Sequence, residues 1–174
     1  VRGKLTRDLI RAPKKTPLGD PGLLVNHLVA SPSEKKNVLG FVPHFVDKLD
    51  TRLRNIQHRY PTEVKIIDVE RHPIKVLKDI AECSFILSSS LHGLIAADAY
   101  QIPNAWMVLS DKVKGNGFKF HDYYSGSASE RHPVYLTGSE SLSELIKLTH
   151  SPSPCVQEQQ ECLYSIFQNL HNYL

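Results

Sequence analysis

Cysteine is scarce in this chain of 174 residues, and its few positions exclude two common structural devices. The three cysteines are Cys83, Cys155 and Cys162, and they form no Cys-x-x-Cys pair. An odd count with this spacing is not typical of a disulfide framework or a zinc site. No cluster of His, Cys and carboxylates has the spacing of metal ligands either. We therefore expect reduced thiols, no bound metal and no cofactor.

Long hydrophobic runs are also missing. No stretch approaches the roughly 18 consecutive apolar residues that a membrane-spanning helix requires, and no secretory signal is visible. The sequence begins with Val1 instead of Met, which leaves the native start open. The sequence therefore predicts a protein without a transmembrane segment, and the expected location is the cytoplasm.

Neither sign of charge is in large excess. The formal net charge is +3, and acidic and basic residues are interspersed. This balance is too weak to indicate nucleic-acid binding, and the basic run 52–59 has only Tyr60 beside it as an aromatic platform. We interpret that run as a solvated helix face. A mildly basic balance does suit a site for an anionic small molecule.

Several catalytic signatures are absent. The chain has no Gly-x-Gly-x-x-Gly or P-loop pattern, which weakens the case for a dinucleotide or a nucleoside triphosphate. It has no Gly-x-Ser-x-Gly, so an esterase elbow is not expected. No pair of carboxylates follows two strands in the way that glycoside hydrolysis needs.

What the sequence does contain is a regular alternation of strands and helices. Short apolar runs predict the strands, and apolar positions at helical spacing predict the helices between them. This β-α-β-α-β-α-β order predicts an α/β fold with a Rossmann-like, doubly wound parallel sheet. The predicted strands are 37–43, 64–69, 85–87 and 104–109, and the helices are 47–58, 73–81 and 91–101.

Helices are also predicted outside this core. Asp20 and Pro21 are typical of a helix N-terminus at 21–29, and Ser141 with Glu144 forms a capping box that opens a helix at 141–149. Further helices are predicted at 6–11 and, after a Ser-Pro linker, at 156–174.

Three loops follow the carboxyl ends of strands, where ligands bind in open parallel sheets. The first carries His44 and the second carries Glu70, Arg71 and His72. The third is the run 88–93, Ser-Ser-Ser-Leu-His-Gly, which leads into a helix rich in alanine. These loops hold the candidate chemistry of the chain.

The third loop has the features of an anion site. Ser89 and Ser90 are good N-cap residues, and a helix N-terminus carries unpaired N–H groups with partial positive charge. Phosphate is the anion that most often binds at such a helix N-terminus. His92 lies in the first turn, and Gly93 removes a side chain where the helix must approach a ligand or the sheet. We therefore predict a phosphate-binding loop here.

Each of these side chains also has an ordinary structural interpretation. The serines can simply cap a helix, with His92 satisfied inside the fold, and His44 can bond a nearby carbonyl. The segment 118–124 can be a surface helix that packs its aromatic residues. The charged residues open to interpretation as solvated surface or as a frayed end are Arg2, Lys4, Arg71, His72 and Lys119.

Taken together, five segments resemble the polysaccharide pyruvyl transferase family. Their order and approximate spacing match that family over roughly residues 1–125, and each segment is short. The segments are 1–6 (Val-Arg-Gly-Lys-Leu-Thr), 18–24 (Leu-Gly-Asp-Pro-Gly-Leu-Leu), 40–44 (Gly-Phe-Val-Pro-His), 86–98 (Ile-Leu-Ser-Ser-Ser-Leu-His-Gly-Leu-Ile-Ala-Ala-Asp), and the pair 103–106 (Pro-Asn-Ala-Trp) with 118–124 (Phe-Lys-Phe-His-Asp-Tyr-Tyr).

The resemblance implies a fold and an activity. Members of the family look like two Rossmann-like halves facing each other, as in GT-B glycosyltransferases. They move the pyruvyl unit of phosphoenolpyruvate onto two hydroxyls of a sugar and release phosphate. By this resemblance, residues 1–30 join a missing amino-terminal half, 31–150 form the donor-binding domain, and 151–174 form a carboxyl-terminal helix. The chain is then an enzyme fragment.

The resemblance also implies site residues. Some members have Arg-Leu-His where this chain has Ser90, Leu91 and His92, so the histidine carries over and the arginine does not. Candidates to replace that cation are Arg2, Lys4, Arg71 and Lys119. Arg2 is the first choice because it matches a strand-end arginine of the family. The implied donor-binding residues are Arg2, Ser89, Ser90, Leu91, Gly93 and Lys119.

Ketal formation needs a proton delivered to the vinyl carbon and one removed from an attacking hydroxyl. Histidine has a suitable pKa for both steps. We expect His92 to bind the donor phosphate or act as a general acid, and His44 to assist as base or ligand.

Two other functions stay open at this point. A GT-B glycosyltransferase would share the fold and the anion loop but use a nucleotide sugar. A non-catalytic binding module on the same fold would bind the donor without turnover. The expected partners are the small donor and a sugar or lipid-linked oligosaccharide acceptor, with no nucleic acid. A lipid-linked acceptor would place the protein at the inner face of the membrane.

Overall fold

One five-stranded parallel sheet organises the molecule. The structure is a computed structural model that describes residues 1–169. In that range the strand order is β2-β1-β3-β4-β5, and every neighbouring pair is parallel. The α/β class and the Rossmann-like arrangement are therefore confirmed. The strands are β1 (Asn37–Val42), β2 (Val64–Ile66), β3 (Cys83–Ser88), β4 (Asn104–Val108) and β5 (Val134–Tyr135).

Helices cover both faces of this sheet. The helices α2 and α6 pack on one face, and α3, α4, α5 and α7 belong to the other. Two short 3₁₀ helices lie at Pro21–His27 and Phe45–Asp47. The α-helices are α1 (Lys4–Leu9), α2 (Thr51–Arg59), α3 (Pro73–Ala81), α4 (Leu91–Ala99), α5 (Phe118–Gly126), α6 (Leu142–Lys147) and α7 (Cys155–Asn169).

The strands divide their side chains between the two faces with the period of two that a pleated strand imposes. In β1, Leu39 and Phe41 pack with α2, while Val42 joins the cluster against α3 and α4. Gly40 faces that second cluster, and a Cβ there would lie 2.7 Å from Cys83 Sγ. The glycine is therefore required for the close packing of β1 against β3.

Local capping explains several helix boundaries. The capping box of Ser141 and Glu144 is present, and α3 begins with Pro73 at its first position. The single helix predicted at 47–58 is wrong. A 3₁₀ turn ends at Asp47, and the carboxylate of Asp50 accepts the amide of Arg52 to start a separate helix, α2.

Other differences concern length and helix type. The segment after Asp20 forms a 3₁₀ helix instead of an α-helix. Strand β5 was not predicted, since it has only two residues. The predicted terminal helix is present through Asn169, and its last five positions lie outside the described residues.

The two ends of the described chain pack on the same side of the sheet. Leu163 of α7 shares an apolar cluster with Leu23 of the first 3₁₀ helix, and Gln160 Nε2 donates to the Leu23 carbonyl at 2.8 Å. The division into a join, a domain and a terminal helix stays a prediction. Among the helices of residues 1–169, none combines the length and the apolar character needed to cross a membrane.

Candidate functional site at the carboxyl edge of the sheet

The first and third loops meet because their strands are neighbours. Val42 of β1 pairs with Ser88 of β3, so the residues that follow lie side by side. The amide of His44 donates to Ser89 Oγ at 2.8 Å, and the amide of Ser89 donates to the Val42 carbonyl at 3.1 Å. The parallel pairing therefore brings His44 to the serine loop, as the strand-end argument predicts.

The three serines of the loop have different roles. Ser88 Oγ is fully buried, lies 2.8 Å from the Val42 carbonyl oxygen and accepts the Ser90 amide at 3.0 Å. Ser89 supports His44 as described above. Ser90 is the N-cap residue of α4, but its side chain makes no capping bond. Two of the three hydroxyls therefore hold the loop in shape.

The first turn of α4 is left with free donors. The amides of Leu91 and His92 find no acceptor within residues 1–169, and they lie at the positive end of the helix. Gly93 sits against the strands, since a Cβ there would lie 2.4 Å from Ser88 Oγ and 2.7 Å from Val42 Cγ1. The glycine thus lets α4 press directly on the ends of β1 and β3.

The side chain of His92 is exposed beside the first 3₁₀ helix. Its Cδ2 lies 3.8 Å from the place that a Gly22 Cβ would occupy. Gly22 donates its amide to Asp20 Oδ1 at 2.9 Å, and Asp20 Oδ2 accepts Arg2 Nε at 2.9 Å. His92 therefore lies near the segment whose Asp20 side chain binds Arg2.

Arg2 is anchored although it lies next to the first residue. A Cβ on Gly3 would lie 1.7 Å from the Asp122 carbonyl oxygen, so the backbone runs directly against α5. The Asp122 carboxylate accepts both the amide and the hydroxyl of Thr6 at 2.7 Å each. Asp122, a residue of α5, thereby caps the N-terminus of α1. These contacts hold Arg2 beside α5, the helix that carries Lys119.

Positive charges are gathered at this edge. Burial, and then the charge of Arg2, lower the pKa of Lys119. Burial, and then the charge of Lys119, lower the pKa of His44, with Asp47 opposing them. Mutual repulsion of this kind means that Arg2, Lys119 and His44 feel one another's charge. An anion placed among them would relieve that repulsion.

The hydrogen bonding of His44 assigns its tautomer. The amide of Val46 donates to His44 Nδ1 at 3.4 Å, so Nδ1 is an acceptor. In a neutral imidazole the other nitrogen then carries the proton. Neutral His44 is therefore a hydrogen-bond donor through Nε2.

A buried network fixes α5 relative to α4. Tyr123 Oη donates to Asp98 Oδ2 at 2.5 Å, and Asn104 Nδ2 donates to Asp98 Oδ1 at 2.7 Å. Burial raises the pKa of Asp98, although both hydrogen bonds oppose the shift. Because Asp98 belongs to α4 and Tyr123 to α5, this network sets the spacing between the helices that carry His92 and Lys119.

The other two candidate cations are Arg71, which is paired elsewhere, and Lys4, which has no side-chain hydrogen bond within residues 1–169. Arg71 Nη1 binds Asp79 Oδ2 at 2.5 Å on α3, together with Lys65. The side chain of Lys4 is exposed, and only its amide is engaged, with Ser125 Oγ at 2.9 Å. Arg2 and Lys119 are the candidates that the fold brings together.

Several residues that build the site had no predicted role in it. Asp20 was predicted as a helix cap, and Asp122 was noted only as a polar residue within the segment 118–124. The Asp47 side chain is buried, its Oδ1 lies 2.5 Å from Ser110 Oγ, and its Oδ2 has no partner within residues 1–169. Asp47 and Ser110 are 63 positions apart, so no local pattern could have joined them.

A cavity of about 310 Å³ opens next to the serine loop, beyond the end of β4. Trp106 and Phe120 stack in its wall with ring centroids 4.5 Å apart, and His121 meets the indole edge-on at 5.2 Å. In the described part of the chain, no group of three or more His, Cys, Asp or Glu side chains could hold a metal ion. Rings, aliphatic side chains, hydroxyls and single polar groups line the cavity.

These features define a Rossmann-like α/β domain with cationic side chains at the ligand-binding edge of its sheet. The chain belongs to the polysaccharide pyruvyl transferase family, whose pattern matches residues 2–111. The family resemblance is thereby confirmed, and the segment 118–124 lies beyond the matched residues.

Two curated relatives are similar to the chain. A protein of Acanthamoeba polyphaga mimivirus described as uncharacterized is 32% identical over 147 residues, covering 79% of this chain and 51% of its own length. The succinoglycan biosynthesis protein ExoV of Rhizobium meliloti (strain 1021) is 27% identical over 148 residues, covering 84% and 46%. The chain thus spans about half the length of these relatives. No solved structure matches it.

Proposed function

We propose that this chain carries the donor site of a transferase that moves the pyruvyl unit of phosphoenolpyruvate onto two hydroxyls of a saccharide. The observation that supports the proposal is that Lys119 lies close enough to both Arg2 and His44 to feel their charge, while His44 is bonded to the serine loop that leads into the free first turn of α4. Membership of the family supports the general activity, and the cationic edge supports this donor.

The donor suits this edge because it carries two anionic groups. A phosphate and a carboxylate both prefer Arg, Lys and the N-terminus of a helix. Arg2 keeps its Nη atoms unbonded within residues 1–169, because Asp20 occupies only Nε. The guanidinium can therefore bind an anionic group of the donor through its Nη atoms while Nε keeps its bond to Asp20.

The reaction balances with two protons. Two C–O bonds form between the acceptor hydroxyl oxygens and C2 of the donor, and the bond from C2 to the phosphate oxygen breaks. One hydroxyl proton ends on the vinyl carbon, which becomes a methyl group, and the other leaves with phosphate. We assign the delivery of the first proton, or the binding of the phosphate, to His92.

His44 is a ligand of the donor in this proposal. Its Nδ1 accepts the Val46 amide, so the neutral ring donates through Nε2–H, and its lowered pKa favours that neutral form. This supports the ligand role over the alternative role as base.

The first test is His92→Ala. We expect ketal formation and phosphate release to fall at least a hundredfold, because general acid catalysis contributes about 10²–10⁴-fold. Phosphate release from phosphoenolpyruvate with a galactose- or mannose-type acceptor measures this. His58→Ala is the matched control, since His58 is exposed on α2. Undiminished activity of a folded His92→Ala protein would remove His92 from the mechanism.

A nucleotide-sugar glycosyltransferase is a second candidate, because the free amides in the first turn of α4 also suit the diphosphate of a nucleotide sugar. Calorimetric titration of the same protein with phosphoenolpyruvate and with nucleotide sugars separates the two. Preference for a nucleotide sugar would overturn the proposal. Tight donor binding without phosphate release would indicate the non-catalytic binding module.

A further inference from the structure

The cavity beyond β4 shares walls with the proposed donor site. Ser89 lines the cavity, and its hydroxyl accepts the amide of His44. Phe120 and His121 line it as well, and they directly follow Lys119 on α5. A molecule in the cavity would therefore contact the serine loop that borders the proposed donor site, although the proposed donor-binding cations are not among the lining residues.

The size of the cavity suits a single small ring. Its volume of about 310 Å³ is at the low end of the roughly 300–1,000 Å³ range of small-molecule sites. A nucleotide sugar or several linked sugars would exceed it. One hexose unit of a saccharide would fit in it, with the neighbouring sugar units in solvent.

The lining of the cavity has both apolar and polar surface, and a sugar ring has both kinds as well. A pyranose has apolar C–H faces and an edge of hydroxyls that donate and accept. Aromatic rings complement the faces, and single polar groups fix the hydroxyls. The cavity supplies an exposed aromatic ring from Tyr135, aliphatic surface from Leu109 and Val113, and polar groups from Ser110, Asp111 and His121. Trp106 is only 6% exposed and stacks on Phe120 in the cavity wall.

Behind this wall lies an incompletely bonded carboxylate. Asp47 Oδ1 lies 2.5 Å from Ser110 Oγ, and Ser110 Oγ also accepts the amide of Lys112 at 3.2 Å. The hydroxyl proton of Ser110 is thereby committed to Asp47, which leaves its remaining lone pair to accept a proton from another hydroxyl. Ser110 is thus a hydrogen-bond acceptor in a wall next to the donor.

We propose that this cavity binds one pyranose ring of the saccharide acceptor, with Ser110, held by Asp47, accepting a ring hydroxyl. This inference rests on the proposed function, because ketal formation requires both hydroxyls to reach the donor carbon. A ring in this cavity would lie beside Ser89, at the border of the proposed donor site.

The experiment uses Trp106, the single tryptophan of the chain, as a reporter. Methyl β-galactopyranoside, methyl β-mannopyranoside and methyl β-glucopyranoside are titrated into the protein while tryptophan fluorescence and backbone amide NMR shifts are recorded. At least one glycoside should bind saturably with a Kd on the order of 1 mM. Its largest amide shifts should fall at Ser89 and in the loop 110–117.

Ser110→Ala should weaken that binding about threefold to tenfold, the effect of losing one hydrogen bond. The matched control is Ser33→Ala, in an exposed loop, which should bind as the parent does. If Ser110→Ala fails to fold, the NMR map of the parent protein decides the question.

Three results would overturn the inference: no saturable change with any glycoside, amide shifts away from the cavity, or uridine monophosphate occupying the cavity where glycosides do not. A separate calorimetric titration with phosphoenolpyruvate distinguishes the two proposals. Donor binding without glycoside binding refutes only the cavity assignment. Glycoside binding without donor binding refutes only the proposed donor.

Discussion

At the scale of single residues, the site depends on charges that repel one another. Lys119 and His44 each have a lowered pKa, in both cases through burial first and a neighbouring cation second. Arg2 is partly neutralised by Asp20, whereas Lys119 has no carboxylate within salt-bridge distance in residues 1–169. A bound anion would therefore stabilise the charged side chain of Lys119 more than that of Arg2.

This coupling can be measured at His44. In Lys119→Met we expect the pKa of His44 to rise, because the positive charge that disfavours its protonated form is gone. Burial would still hold it below the ordinary histidine value. NMR titration of the imidazole carbons gives the pKa. Lys112→Met removes an exposed lysine as the control. An unchanged His44 pKa in Lys119→Met would show that the two charges do not interact.

At the scale of elements, α1 and α5 act as one unit. The N-terminus of α1 receives its cap from Asp122 on α5, 116 positions along the chain from Thr6. Gly3 packs on the same residue. The docking of these two helices decides where Arg2 lies relative to Lys119.

The variant Asp122→Ala tests this unit. We expect it to lose about 1–2 kcal/mol of unfolding free energy, as for a lost helix cap. Phosphoenolpyruvate affinity should also fall, because Arg2 is no longer held. Urea denaturation and calorimetry measure the two effects. Asp8→Ala, on the exposed face of α1, should change neither. Lower stability with unaltered donor affinity would mean that α1 does not position Arg2.

Element boundaries also show the limits of sequence analysis. The strands and helices around Gly40, Gly93 and Pro73 follow from local patterns, so the alternation and the site-bearing loops could be predicted. The roles of Asp20, Asp47 and Asp122 could not, because each depends on a partner or charge brought near by the tertiary fold. The break before α2 was missed because the Asp50 cap competes with a continuous helical pattern.

At the scale of the whole molecule, one side chain stabilises the edge of the sheet that ends in the short strand β5. Strand β5 has two residues, too few for a stable ladder by itself. Arg52 of α2 donates to the Leu136 carbonyl at 3.2 Å and to the Leu109 carbonyl, while Asp50 binds the same guanidinium at 2.6 Å. One arginine thus joins the segments that follow β4 and β5.

Replacing this arginine should affect the entire edge. We expect Arg52→Ala to cost about 2–3 kcal/mol of unfolding free energy, because carbonyl groups and a carboxylate lose a charged donor. Amide hydrogen exchange should accelerate in β5 before it does in β1 or β3. Arg54→Ala, exposed on the same helix, is the control. Equal stability of the two variants would exclude the proposed link.

The close contact of Gly93 with Ser88 and Val42 has a consequence for kinetics. Because α4 is pressed onto the strands and the loop serines are bonded to backbone, the first turn is already in place before an anion arrives. Binding then needs no slow rearrangement of that turn, and the rate of encounter governs association. Such encounters are accelerated by surrounding positive charge and slowed by added salt. The on-rate of the donor should therefore decline as ionic strength rises.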